Sequence, residues 1–281
     1  MALQSMLEGG DVLVLSGAGL STDSGIPDYR GPSGAKRTQA PMTYQLFTGD
    51  PMARHRYWAR SFLGWRQIRD ARPNLGHLAV TAWQRAGMLS AIITQNVDGL
   101  HQAAGTGGVI ELHGGLDRTR CLNCGDRRPR VELDARLRRL NPDFHPRAGA
   151  AYADGDAELP DSELTRFVMA PCTACGADLL KPDVVFFGEN VPADRVRMCF
   201  DALSSARALL VLGSSLTVFS GYRFVRAAAA ASVPVAIVNQ GLTRADSLAT
   251  VRIDAPLGQV LPNLVPMAGH RHEIGDAQWE R

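Results

Sequence analysis

Two cysteine pairs, Cys121-Leu-Asn-Cys124 and Cys172-Thr-Ala-Cys175, are each followed by a glycine, Gly125 and Gly176. A CxxC knuckle closed by a glycine turn offers two thiolates to one metal ion. Two knuckles complete the tetrahedron that zinc takes in structural sites. A closed four-thiolate site leaves no position for water, so this metal is expected to hold structure and take no part in chemistry. Cys199 stands alone in a helix-like stretch and reads as a small buried hydrophobe. In a reducing compartment, five cysteines point to metal binding and free thiols before disulfides.

A second group of candidate residues sits at the ends of short apolar runs. Val12–Ser16 leads into Gly17-Ala18-Gly19-Leu20-Ser21. Gly17 and Gly19 permit a tight turn and a close backbone approach to a pyrophosphate. The third glycine of the dinucleotide fingerprint is replaced by Thr22, and no acidic residue ends a second strand at the distance a ribose contact needs. By itself the turn fits a dinucleotide and equally a strand-to-helix turn with no ligand. Ala91–Thr94 leads into Gln95-Asn96-Val97-Asp98, Val109–Leu112 into His113-Gly114, and Val184–Phe187 into Gly188-Glu189. Ala208–Leu212 leads into Gly213-Ser214-Ser215, and Val235–Val238 into Asn239-Gln240-Gly241.

Apolar runs of this length with polar or glycine ends read as central strands of a parallel sheet. Helix-like stretches such as Pro73–Ala86 and Asp194–Ala206 lie between them, so the expected fold class is α/β, a Rossmann-like doubly wound parallel sheet. In such a sheet the ligand sits at the carboxyl ends of the strands, where all these polar motifs fall. Two stretches interrupt the alternation. One is rich in proline and glycine and passes into an aromatic helical segment around Tyr57, Trp58, Phe62 and Trp65; the other carries the cysteine knuckles. The expected division is a Rossmann-like domain of residues 1–35, 73–117 and 181–281, with a smaller helical and zinc-binding module of 36–72 and 118–180. Ala268–Arg281 reads as a polar tail.

The chain of 281 residues is 45% apolar and 21% charged, the balance of an ordinary globular protein. A formal net charge of +2 implies no polyanion partner, although Arg118, Arg120, Arg127, Arg128, Arg130, Arg136, Arg138 and Arg139 crowd one stretch. The longest apolar candidate for a membrane span, Ala227–Val238, is short and broken by Pro234, and the N-terminus lacks a basic region and cleavage site. A cytoplasmic location is expected.

The run Gly17–Gly31, GAGLSTDSGIPDYRG, resembles the signature of the sirtuin family. TQNVDGLH (Thr94–His101), ELHGG (Glu111–Gly115), the CxxC pairs, KPDVVFFGE (Lys181–Glu189), LGSSLTVFSGYRF (Leu212–Phe224) and VNQG (Val238–Gly241) match in order. An ordered set is far more specific than any member. The wording of these motifs and the long loop between the knuckles look like the class II branch. The resemblance implies an enzyme that uses NAD as co-substrate to deacylate lysine side chains, with one structural Zn2+. In that reaction the acyl oxygen attacks C1′ of the nicotinamide ribose, nicotinamide leaves, and a base then helps a ribose hydroxyl attack the acyl carbon. The products are 2′-O-acyl-ADP-ribose and free lysine.

By the same resemblance His113 is the general base, and an imidazole near its reference pKa of about 6.5 suits proton removal at neutral pH. Gln95 and Asn96 match ribose and water contacts, Asn96 counting as catalytic. Asp98 and the backbone of Ile26 match the nicotinamide pocket. Asp28, Tyr29 and Arg30 match the cofactor loop, with Tyr29 where many members carry Phe. Gly17, Ala18, Gly19 and Thr22, then Gly213, Ser214 and Ser215, and then Asn239, Gly241 and Leu257, complete the NAD set. Val185, Phe187, Gly188 and Val218 match the peptide-binding edge, where the substrate adds as a strand. Ser220-Gly221 replaces the usual proline. Tyr57-Trp-Ala-Arg60 has the spacing of the pair carried by desuccinylating members, but it stands too early relative to Trp58 and reads as a packing pair.

Three other readings use the same residues. A nucleic-acid-binding zinc module would use the arginine cluster, but Asp126, Glu132, Asp134 and Asp143 are interleaved and no aromatic ladder is present. A dehydrogenase would change the absorbance of nicotinamide, and an ADP-ribosyltransferase would label protein. The expected partner is an acylated-lysine protein or peptide, not nucleic acid or membrane.

Overall fold

A computed structural model describes residues 2–29, 40–146, 149 and 152–264. Arg30 and the segment Ala268–Arg281 lie outside the described residues. In chain order the helices and strands are α1 (Ala2–Glu8), β1 (Val12–Ser16), α2 (Tyr44–Gly49), α3 (Pro51–Asp70), α4 (Leu75–Arg85) and β2 (Leu89–Thr94). They continue with α5 (Leu100–Ala103), β3 (Ile110–Glu111), β4 (Gly114–Cys121), β5 (Arg127–Pro129), α6 (Arg130–Leu140) and α7 (Asp161–Leu164). The last are β6 (Leu180–Val184), α8 (Ala193–Ser204), β7 (Ala208–Leu212), α9 (Phe219–Ala230), β8 (Val235–Val238), β9 (Val251–Ile253) and α10 (Leu257–Val260).

Six strands form one parallel sheet in the order β3-β2-β1-β7-β8-β9. Successive side chains of β1 face opposite sides. Val12 and Val14 pack with Leu7 of α1 and Val80 and Trp83 of α4. Leu13 and Leu15 pack with Cys199 and Leu203 of α8 and Phe224 of α9. Both faces are therefore covered, and every residue of β1 and β7 is buried. That explains why these strands are continuously apolar rather than alternating. The strand order reverses direction at β1, which puts the turns after β1 and β7 side by side at the carboxyl edge.

A second, three-stranded antiparallel sheet has the order β5-β4-β6. This corrects the expectation that Val184–Phe187 is a strand of the parallel sheet. The strand there is Leu180–Val184, paired with β4, while Phe187 makes only an isolated bridge to Thr43. An apolar run shows that a segment is buried and not which sheet buries it. Here Val184 and Phe186 join the core of the smaller unit. The second sheet begins at Gly114 and ends at Val184.

The core beside the second sheet is built on α3. Trp58 is fully buried, and its indole N–H donates to the Leu180 carbonyl at 2.8 Å. Arg130 is also fully buried, 4.8 and 5.0 Å from the Trp58 and Trp65 rings, and it donates to the hydroxyl and carbonyl of Ser61. One member of the arginine cluster is thus a core residue held by cation–π contacts. Others are engaged nearby: Arg138 with Asp134, Arg128 with Asp126, Arg127 with Asp183, and Arg118 with Glu111 and Asp117. No helix among the described residues is long and apolar enough to cross a membrane.

Two histidines, His77 and His101, are buried together, their rings 5.2 Å apart and edge-on. His77 closes the capping box of α4 with Asn74, and Nε2 of His101 lies 2.9 Å from the Ser16 hydroxyl. Burial pushes both down, His77 to about 3 with help from His101, and His101 to about 4. The unfolded chain therefore binds protons at these rings from about pH 6.5 downward, while the native state does not. Stability is complete above that pH and is lost as pH falls toward about 4. At about pH 5 each ring should remove about 2 kcal/mol. Urea denaturation near neutral pH and near pH 5 checks this, and an unchanged midpoint contradicts it.

Candidate active site

The turns after β1 and β7 touch backbone to backbone. The Gly19 N–H donates to the Gly213 carbonyl at 2.8 Å. A Cβ at Gly17 would lie 2.7 Å from the Ser214 Cβ, and one at Gly19 would lie 2.9 Å from the Gly213 Cα. The two glycines are thus required first by this contact between strand ends. After Gly17 the chain forms two single 3-10 turns, Ala18–Leu20 and Thr22–Ser24, and no long helix begins there. This differs from the Rossmann turn, in which the phosphate meets a helix N-terminus.

Above this contact opens a cavity of about 1250 Å³. From the nucleotide set, Gly17, Ala18, Gly19, Thr22, Asp28, Tyr29, Gln95, Asn96, Gly213, Ser214, Ser215, Asn239, Gly241 and Leu257 line it. His113 lines it too, as do Val185, Phe187, Gly188 and Val218. Ile26 and Asp98 line a small adjoining cavity that shares Ala18, Tyr29, Gln95, Asn96 and Val97 with the large one. Arg30 lies outside the described residues.

The loop after β2 is fixed by hydrogen bonds to both glycine turns. Gln95 Nε2 donates to Ser214 Oγ at 2.9 Å and to the Ser16 carbonyl at 3.2 Å. Asn96 Nδ2 donates to the Gly17 carbonyl at 3.0 Å and to Ser21 Oγ at 3.1 Å. The Ser21 hydroxyl in turn donates to Asp98 at 2.7 Å, and the Leu100 N–H donates to the other carboxylate oxygen at 2.9 Å. Burial raises the Asp98 carboxyl above the usual range, and these two donors pull against it. On the far side Asn239 Nδ2 donates to the carbonyls of Gln240 and Gly241, and the Gly241 N–H donates to Asp254 at 2.9 Å.

His113 stands where β3 gives way to β4. Its Nδ1 is 2.9 Å from the Gln95 carbonyl, which can only accept, so Nδ1 carries the proton and Nε2 is the free base. Burial first, and then the charges of Arg195 and Arg223, push the ring down to about 4 against the bond to Gln95. The expected value of about 6.5 is therefore too high: the ring is neutral well below neutral pH. The segment that follows β6 is tied to this point, since the Val185 N–H donates to the His113 carbonyl at 2.8 Å. Phe187 on one lip and Val218 on the other are exposed large apolar side chains.

The sequence profile of the Sir2 family matches residues 17–220. The chain belongs to the Sir2 family. It is 57% identical over 271 residues to NAD-dependent protein deacetylase 1 of Streptomyces coelicolor, covering 96% of this chain and 90% of that one. The NAD-dependent protein deacetylase of Bordetella pertussis is 47% identical over 94% of this chain and 97% of its own length. A solved structure described as "Sir2-p53 peptide-NAD+" superposes with a TM-score of 0.75 at 30% identity, covering 94% of this chain and 95% of the other.

The four knuckle cysteines of this Sir2-family chain converge at the end of the second sheet. All four Sγ atoms lie within 4.8 Å of one another, with Cys121–Cys175 at 3.7 Å and Cys124–Cys172 at 3.8 Å. Tetrahedral zinc with bonds of about 2.3 Å needs sulfur–sulfur edges of about 3.8 Å, so the donor set fits zinc. Cys199 is fully buried in α8 and stands apart. Several lining residues lay beyond sequence reasoning. Ser21 bridges Asn96 and Asp98, and its place inside the glycine signature was the available signal. Tyr57 and Asp154 also line the cavity, Asp154 from the loop between the knuckles. Tyr57 belongs to the pair read as packing, and its partner Arg60 is buried against Asp156 at 3.0 Å.

Metal analysis of the purified protein should return about one zinc per chain. Cys121→Ser and Cys175→Ser should lower both thermal stability and metal content. A well-folded, metal-free variant as stable as the parent contradicts the assignment.

Proposed function

We propose that this chain is an NAD-dependent protein-lysine deacetylase that releases nicotinamide, 2′-O-acyl-ADP-ribose and deacylated lysine. The observation that carries the reading is the neutral His113 ring on the wall of a single cavity running from the glycine turns to the apolar lip. The relatives' printed activity and the solved complex with NAD and a peptide support it.

NAD supplies the ribose carbon from which nicotinamide leaves and the hydroxyl groups that take the acyl group. Gly17, Ala18, Gly19 and Thr22 with Gly213, Ser214 and Ser215 line the cavity where the two strand ends meet, and they hold the phosphates and the adjoining ribose. Asn239, Gly241 and Leu257 hold the adenosine end. Gln95 and Asn96 orient the reacting ribose, Asn96 being fixed by its own bonds to Gly17 and Ser21. Asp98 and the Ile26 backbone hold the nicotinamide amide in the small adjoining cavity. Asp28 and Tyr29, with Arg30 by its match to the same motif, serve the cofactor. Nε2 of His113 takes the ribose proton. Val185, Phe187, Gly188 and Val218 flank the substrate backbone.

The partner is a protein or peptide carrying an acylated lysine, the location is cytoplasmic, and nucleic acid plays no part. The ion pairs and burial that engage the arginine cluster support the last point. The large unit of the chain is the NAD-binding domain, and the cysteine-bearing unit is its zinc module.

An acetylated peptide incubated with NAD and followed by mass spectrometry tests the function: one acetyl group should be lost per nicotinamide released. His113→Ala should lower that rate by ~10²–10⁴-fold. Exchange of labelled nicotinamide into NAD should suffer less, because it precedes proton removal. Deacetylation by His113→Ala at the parental rate contradicts the base assignment. Asp98→Asn should weaken nicotinamide inhibition and productive NAD binding with the fold intact; unchanged kinetics on both counts would remove Asp98 from the pocket.

A further inference from the structure

The free nitrogen of His113 already has a partner. Because Nδ1 carries the proton, Nε2 offers its single lone pair to the cavity, and Ser220 Oγ lies 2.8 Å from it. The serine hydroxyl must therefore be the donor. Ser220 is the second residue of α9, and the helix comes this close because of the next residue. A Cβ at Gly221 would lie 2.4 Å from Gln95 Oε1, the side chain of the same residue whose carbonyl grips Nδ1. Ser220-Gly221, the departure from the usual proline, thus does two things together. Glycine lets the start of α9 pack on Gln95, and serine puts a hydroxyl on the base. Proline at 220 would supply no hydroxyl.

A neutral imidazole nitrogen accepts one strong hydrogen bond. A ribose hydroxyl that is to give up its proton to Nε2 must take the place the serine hydroxyl holds. A serine side chain moves between staggered rotamers at little cost, so the exchange needs no backbone movement. We propose that Ser220 is a positioning residue whose hydroxyl stands in for the ribose hydroxyl on His113 Nε2 in the NAD-free protein, fixing the ring's plane until NAD displaces it. This rests on the reading of His113 as the base.

Two readings without turnover test it. Nitrogen NMR of protein labelled at its histidines, with His113 identified by loss of its signals in His113→Gln, reports which ring nitrogen is protonated and whether the other accepts a hydrogen bond. In the NAD-free parent, Nδ1 should be protonated and Nε2 hydrogen-bonded. In Ser220→Ala the proton should stay on Nδ1, and Nε2 should shift toward an acceptor that has lost that donor. The competing hydroxyl is then gone, so calorimetry should show NAD bound about 2- to 10-fold more tightly, the range one hydrogen bond commands. Ser220→Thr keeps the hydroxyl and should return both readings toward the parent.

An unbonded Nε2 in the parent overturns the proposal, and so does unchanged or weaker NAD binding in Ser220→Ala. A threonine variant that behaves like alanine also overturns it. The parental spectrum needs no variant to fold. Failure of the deacetylase reading shows separately, as parental protein that removes no acetyl group from an acetylated peptide.

Discussion

The structure depends on one close contact, the meeting of the strand ends of β1 and β7 through Gly17, Gly19 and Gly213. Parallel strands with both faces buried carry their polar ends to one edge, and the reversal of strand order at β1 leaves a crevice there. A side chain at either β1 glycine would push the two turns apart, since the added carbon would fall inside 3 Å of the facing backbone or Cβ. With the turns in contact, the crevice floor is backbone. Gln95 and Asn96 can then reach across it, each bonding to a different turn. The state of His113 follows from this bridge, because the Gln95 carbonyl that ends it is the group that fixes the tautomer of His113.

The second sheet extends that logic to the apolar lip of the cavity. β4 starts directly after His113, and the Val185 N–H closes on the His113 carbonyl, so the segment lining the apolar lip is aligned with His113 by the backbone itself. The cysteine cluster sits at the other end of β4, through Cys121. Metal bound there would pin the far end of the strand that begins beside His113. A closed structural site can thereby matter to a reaction in which it takes no part.

Much of this was legible in the residues. Five strands of the parallel sheet follow apolar runs with polar ends, whereas β9, Val-Arg-Ile, gives no such signal, and the two helices named from the pattern lie within a residue or two of where it puts them. The cysteine knuckles named their own partners. What the residues did not disclose depends on contacts distant in sequence. Val184–Phe187 is as apolar as a parallel strand, yet the strand there is Leu180–Val184, which pairs with β4. Arg130 looks like one basic residue among many until Trp58 and Trp65 close on it. His113 is read at its ordinary acidity from sequence, because burial lowers it in the fold and the two arginines that add to this come from α8 and α9. Ser220 was visible only as a departure from a pattern, and its contact with the base needed the packing of Gly221 on Gln95.

The central claim is that a buried, neutral imidazole held by the Gln95 carbonyl serves as the base. The pH dependence of kcat/KM for NAD with an acetylated peptide tests it most directly, because that quantity reports the free enzyme's base. A base of about 4 leaves the rate at about pH 5.5 close to its value at neutral pH, with circular dichroism verifying the fold at both. A fall to about a tenth at that pH in folded protein, as an ordinary imidazole near 6.5 would give, contradicts the account.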